Sequence, residues 1–204
     1  MADLRRALLV RAFALLYGPL AALHEPAGWL VSGPAWNGRR AMALDPLPDG
    51  AMLDLGCGDG RLLMLAERAG IAGFGIDPSE SMTRRARRHG IAVVRASASA
   101  IPAIDGAVAL VTSTYPGDWV FDEAVMREVA RVLRADGEAR ILLGGTTTVG
   151  RLSRVRTVLS RAVYGDRRSG AGASPPAVDG LDGSIVVRPD AWGESMWWLA
   201  RRRG

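Results

Sequence analysis

The segment Leu53-Asp54-Leu55-Gly56-Cys57-Gly58-Asp59-Gly60 sets a carboxylate and three alternate glycines at the end of an apolar run. Arg61 to Ala69 follows with helical character, so the segment reads as strand, tight turn and helix. A glycine turn lets backbone come close to a ligand, because glycine has no Cβ and tolerates positive φ. Seventeen positions after Gly60, Asp77 closes a second apolar run, Gly75-Ile76-Asp77. A carboxylate at that place can accept hydrogen bonds from both hydroxyls of a ribose. These features together predict an adenosine-containing cofactor.

Two kinds of site share this logic. Dinucleotide sites use G-x-G-x-x-G, with a pyrophosphate received at the helix N-terminus. This chain has G-x-G-x-G followed by Arg61, and Asp54 stands two positions before the first glycine. The glycine spacing opposes a nicotinamide dehydrogenase. The pattern resembles the D/E-x-G-x-G-x-G signature of class I S-adenosylmethionine-dependent methyltransferases. Asp77-Pro78-Ser79-Glu80-Ser81-Met82 resembles that family's D-x-S-x-x-M. Val132-Leu133-Arg134-Ala135-Asp136-Gly137 resembles its V-L-R-P-G-G turn before the fifth strand, with two substitutions. The likeness covers roughly residues 50 to 145.

The resemblance implies an α/β fold: a Rossmann-like, doubly wound, seven-stranded, mostly parallel sheet with an antiparallel last strand. It also implies roles. Asp54 and the backbone of Gly56, Cys57, Gly58 and Gly60 would hold the methionine part of S-adenosylmethionine. Asp77 would bind the ribose, and Pro78 and Met82 would pack on adenine. Ser97 and Ala98 would touch the adenine edge, where the family often has Asp-Ala. Thr112, at the end of the fourth strand, would line the same crevice. Cys57, the one cysteine, reads as a small residue in a crowded turn rather than a nucleophile.

The elements that must position these groups are legible in outline. Strands are expected at about 51–55, 73–76, 92–95, 107–112, 139–143, 185–188 and 195–200. Helices are expected at about 60–69, 79–89, 121–133 and 149–163, the last with Leu152, Val155, Leu159 and Ala162 on one stripe. Residues 1–50 read as an N-terminal helical cap on a methyltransferase-like domain at 51–204. Its helices are expected at 4–16, from the Gly18-Pro19 break to Val31, and at 35–44. Residues 166–183, rich in Gly, Ala, Ser, Pro and Arg, read as a mobile loop.

The remaining features bound the function. One cysteine excludes a disulfide and a Cys-rich metal site, and no metal is expected. All 26 basic residues are arginine, against 21 acidic ones, an excess too mild to favour nucleic acid as a partner. Ala7 to Leu23 is apolar, but Arg11 interrupts it and Gly18-Pro19 would break a helix, so a membrane span is not expected. A lid over the site and a peripheral membrane contact both remain open for this region. A cofactor made in the cytosol points to a cytoplasmic protein.

The acceptor is expected to be a small or lipid-like molecule. Tyr115 and Asp118 beyond the fourth strand, and His24, Trp29 and Trp36 in the cap, are the candidate acceptor contacts. No catalytic base is identified. The N/D-P-P-Y/F motif of many amino-group methylases is replaced by Ser113-Thr114-Tyr115-Pro116. The departures at Ser97, Ala135 and Asp136 keep a second reading open, a non-catalytic cofactor-binding or membrane-surface regulatory protein with the same fold. The oligomeric state is left open.

Overall fold

The computed structural model describes residues 24–150, 153–164 and 180–203. The expected helix at 4–16, the break at Gly18-Pro19 and residues 166–179 of the expected loop lie outside the described residues. Helices α1 (His24–Ser32) and α2 (Ala35–Met42) come first. Then follow β1 (Met52–Leu55), α3 (Arg61–Arg68), β2 (Gly73–Asp77), α4 (Glu80–Arg88) and β3 (Val93–Arg95). The second half holds β4 (Val108–Thr114), a 3₁₀ turn (Asp118–Phe121), α5 (Glu123–Val132) and β5 (Leu133–Thr147). Helix α6 (Ser153–Tyr164), β6 (Leu181–Asp190) and β7 (Gly193–Arg202) close it.

The strands form one seven-stranded sheet in the order β3-β2-β1-β4-β5-β7-β6. Pairing is parallel from β3 to β5, and β7 runs antiparallel to both β5 and β6. The order reverses between β1 and β4, which is where open α/β sheets bind ligands, beyond the carboxyl ends of the strands.

Strand residues alternate between two cores, as a pleated strand requires. Leu53, Leu55, Val111, Ile141, Leu143 and Trp198 pack with α5 through Val125, Met126, Val129 and Val132. Met52, Leu110, Leu142 and Trp197 pack on the other face with Leu62, Leu63 and Ala66 of α3, Ala86 of α4, and Ala43 and Leu44 after α2. Arginines tie loops to this frame. Arg131 donates to the carbonyls of Ile101 and Ala103 and to Glu128 and Asp105. Arg140 donates to the carbonyls of Ala43 and Pro46 and to Glu138.

Three expectations need correction. Strand β5 begins at Leu133, not near 139. Its ladder with β4 is irregular there: Val108 pairs with Leu133, and Leu110 already with Glu138. The expected turn survives as residues 134–137 standing out of the ladder, with Asp136 at φ 60°. Strand β6 begins at Leu181, so the last residues of the expected loop are strand, paired to Arg201 and Arg202 of β7. Val155 was expected on the apolar stripe of α6 but is exposed. Arg156 is instead the residue that meets α1, its guanidinium 5.5 Å from the Trp29 ring centroid. Among the described residues, no helix is long and apolar enough to cross a membrane.

Gly75 shows how tightly β2 and the glycine turn fit. A Cβ there would lie 2.6 Å from Cys57 Sγ and 2.8 Å from Leu63 Cδ1. Gly75→Ala is therefore expected to lower stability by about 1–3 kcal/mol, the usual range for overpacking. Urea unfolding checks this, and a midpoint equal to that of the parent would refute it.

Candidate active site

The turn from β1 into α3 is hung on β2. The amides of Gly56 and Cys57 both donate to the carbonyl of Ile76, at 2.8 and 3.1 Å. Gly56, Gly58 and Gly60 have φ of 66°, 56° and 83°, a left-handed region that side chains with a Cβ rarely adopt. At Gly58 the conformation has a second use. A Cβ there would meet nothing within 4 Å, so the bare backbone borders open space.

Two buried carboxylates flank this turn. Asp77 Oδ2 accepts from the Gly58 amide at 3.0 Å, and Oδ1 accepts from the Ser79 amide at 2.8 Å. Burial pushes its pKa up, and these two bonds oppose the shift. Asp54 Oδ1 accepts from Thr112 Oγ1 at 2.9 Å, across the β1–β4 pair that sets the two residues side by side. Burial pushes the Asp54 carboxyl up to about 7; the Thr112 bond and the Arg40 charge oppose it, and Asp77 adds to it. Burial, with Asp54 and Asp77 nearby, also drives the Cys57 thiol up, which fits a packing residue and not a nucleophile.

The expected adenine contacts divide. Pro78 is exposed after β2, while Met82, in the first turn of α4, is wholly buried. Ser79 caps α4 by accepting from the Met82 amide. Ser97 is exposed, with its Oγ 2.7 Å from Ser99 Oγ and accepting from the Ser99 amide. Ala98 is half-buried against the α5-side core. Thr112 is buried too and reaches the crevice only through Asp54.

On the other side of the switch point, Tyr115 leaves β4 at φ 56° and stacks on Trp36 of α2, with centroids 4.3 Å apart and planes at 16°. Trp36 is buried, and the Arg40 guanidinium stands 5.1 Å from its ring centroid. Asp118 is exposed in the 3₁₀ turn. Trp29 does not join this group; it is 51% exposed and meets α6. His24 opens α1, and its side chain lies outside the described residues.

Two residues were not singled out from sequence. The indole of Trp119, 36% exposed, lies over Gly56, where a Cβ would come within 3.2 Å of it. Arg40 was hidden in an Arg39-Arg40 pair on a short helix; its place beside Trp36 depends on how α2 docks. The Gly117-x-Trp119 spacing just after β4 was the available signal for Trp119.

Residues 52–137 match the family model described as a methyltransferase domain. The seven-stranded sheet with its antiparallel β7 is the Rossmann-like fold of class I methyltransferases. Solved structures agree in fold. A protein described as an S-adenosyl-L-methionine-dependent methyltransferase, from Methanococcus maripaludis, superposes with a TM-score of 0.66 at 16% identity, over 92% of this chain and 94% of that one. A SAM-dependent methyltransferase from Thermotoga maritima gives 0.59 at 18% identity, over 89% and 95%. Geranyl diphosphate C-methyltransferase from Streptomyces coelicolor A3(2), solved with S-adenosyl-L-homocysteine, gives 0.55 at 18% identity, over 82% and 79%. No curated protein matches the chain in sequence.

The open space along Gly58, between two buried carboxylates, fits a ligand that brings hydroxyls and positive charge.

The raised Asp54 pKa makes the free protein's stability depend on pH. Between about pH 4 and pH 7 the folded state keeps a proton that the unfolded chain, with an ordinary value of 3.8, has already released. Unfolding then releases a proton, so stability is greatest below about pH 4 for this group and falls as pH rises towards 7. At about 1.4 kcal/mol per pH unit, the loss reaches up to about 4 kcal/mol. Denaturant midpoints across that range are expected to decline more steeply for the parent than for Asp54→Asn. Parallel profiles would refute the assignment.

Proposed function

We propose that this methyltransferase acts on a small or lipid-like acceptor admitted between α2 and the carboxyl end of β4. The observation that carries the reading is the aromatic wall on that side: Tyr115 stacked on Trp36, with the partly exposed Trp119 over Gly56. Such surfaces favour an apolar ligand with few polar groups. The fold accommodates this class of acceptor, since the Streptomyces neighbour is a geranyl diphosphate C-methyltransferase.

The cofactor supplies a methyl group on a positively charged sulfur, already activated for displacement. The protein's task is then to align the acceptor with that methyl and to exclude water. In our reading Asp77 accepts hydrogen bonds from the ribose hydroxyls, and Pro78, Ser97 and Ala98 border the adenine. The Asp54 carboxyl at the end of β1 and the Arg40 guanidinium on α2 take the amino and carboxylate ends of the methionine portion. Tyr115, Asp118 and Trp119 shape the acceptor space. No described side chain is assigned as a base: His89 ends α4, away from β4, and the Cys57 thiol is held protonated by burial.

The test of acceptor class uses S-adenosylmethionine labelled in its methyl group, the intact protein and cell extract. Label is expected in the organic-soluble, small-molecule fraction. Label confined to protein or nucleic acid would overturn the proposal.

We further propose that the cap's outer side meets a lipid interface. Trp29 and Leu30 are exposed beside Arg156, a pairing of aromatic, aliphatic and cationic groups suited to a headgroup layer. The protein is expected to float with vesicles containing anionic lipid, and less so as Trp29→Ala. Absence of flotation would remove the membrane contact and leave the acceptor reading intact.

A further inference from the structure

Helix α2 cannot place itself. It has eight residues, carries Gly38 in its middle, and Pro34 before it offers no side-chain cap. Isolated helices of that length are not stable in water, and an interior glycine costs about 1 kcal/mol more. Its position must come from what it docks on.

One docking contact stands out. The side chains of Arg39 and Asp190 are each 1% exposed, 151 positions apart in sequence, and joined by a forked pair. Arg39 Nε donates to Asp190 Oδ2 at 2.7 Å, and Nη2 to Asp190 Oδ1 at 3.3 Å. Nη2 also donates to the Thr146 carbonyl at 2.7 Å, and Nη1 to Thr147 Oγ1 at 3.4 Å. Asp190 Oδ1 takes a further bond from the Trp192 amide at 2.8 Å. Arg39 stands to hold Asp190 in its charged form: that carboxyl is kept below its ordinary pKa by this pair and the Trp192 amide, against burial.

Two glycines make the room. A Cβ on Gly145 of β5 would lie 2.8 Å from Arg39 Cζ, and one on Gly38 would overlap the Trp192 indole. Helix and β6–β7 hairpin tip therefore interlock, arginine over one glycine and tryptophan over the other. The neighbouring residue, Arg40, and Trp36 one turn earlier are the groups α2 brings to the crevice.

We propose that Arg39 is a positioning residue: by clasping Asp190 at the hairpin tip it fixes α2 in the register that holds Arg40 against Trp36, on the Tyr115 side of the crevice, where in our reading Arg40 meets the amino-acid end of the cofactor. This rests on the reading of Arg40 given above. A buried pair is expensive to break because the remaining charge is stranded, so loss of either partner shifts the helix.

The test compares two ligands that share the adenosine but differ at the far end. S-adenosylhomocysteine has the amino-acid portion; 5′-methylthioadenosine lacks it. Calorimetric titration is run on the full chain, with circular dichroism confirming that each variant is folded at the working temperature. Arg40→Ala is expected to weaken S-adenosylhomocysteine about tenfold, the loss of one charge-assisted bond, and methylthioadenosine less than about threefold. Asp190→Asn and Arg39→Lys are expected to show the same selective loss, and to add nothing in an Arg40→Ala background. Arg39→Lys keeps a charge for Asp190 without the fork, and carries the test if Asp190→Asn does not fold.

A merely structural role would weaken both ligands alike and add to the Arg40→Ala loss; that result overturns the proposal. Clasp variants that bind like the parent, with Arg40→Ala impaired, also overturn it. If Arg40→Ala itself binds like the parent, the assignment of Arg40 falls, and the positioning role falls with it.

Discussion

The site hangs on one carboxylate. Asp77 closes β2 and accepts from the Gly58 amide with one oxygen and the Ser79 amide with the other. It therefore joins the glycine turn after β1 to the start of α4. Both amides belong to backbone that no regular ladder satisfies, so an unpaired turn there would carry a desolvation cost. The cost of burying Asp77 is offset in part by the same two bonds. The turn keeps its three left-handed residues because the carboxylate and the Ile76 carbonyl hold its amides in place.

From that anchor the molecule divides into a rigid half and a docked half. The strands β1 to β4 and helices α3 to α5 hold Asp54, the glycine turn and Asp77 through short-range connections, each helix packed on the strands it joins. The side around Trp36 and Tyr115 is assembled from distant chain: α2, the turn after β4, and the tip of the β6–β7 hairpin. Trp36 meets Tyr115, and Arg39 meets Asp190, across 79 and 151 positions respectively. That side of the crevice is thus built from contacts that no local sequence pattern encodes.

That division explains what could be read from the sequence. The glycines and Asp54 and Asp77 announce themselves because the turn demands particular residue types at fixed offsets, whatever surrounds them. The seven-stranded, mostly parallel sheet with an antiparallel last strand follows from the family resemblance, and the structure bears it out. Met82 kept its place in a motif, but its burial depends on how α4 lies on the sheet. Trp119 and Arg40 were missed because a tryptophan after a strand, or an arginine in a pair, has no offset that marks it. The start of β5 was misplaced for a related reason: residues 134–137 carry turn residues, yet Leu133 before them still pairs with β4. On α6, Val155 fitted the apolar period, but α1 recruits Arg156 through Trp29 instead.

The arginines have a consequence of a different kind. Arg39, Arg131 and Arg140 each span two or more acceptors on separate segments, several of them main-chain carbonyls. A planar fork does this; an ammonium on a flexible stem does not. The chain also contains no lysine. Acylating labels and amine-directed crosslinkers thus find no side-chain target on this protein, and a lysine introduced as a handle belongs at an exposed position, never in place of one of these forks.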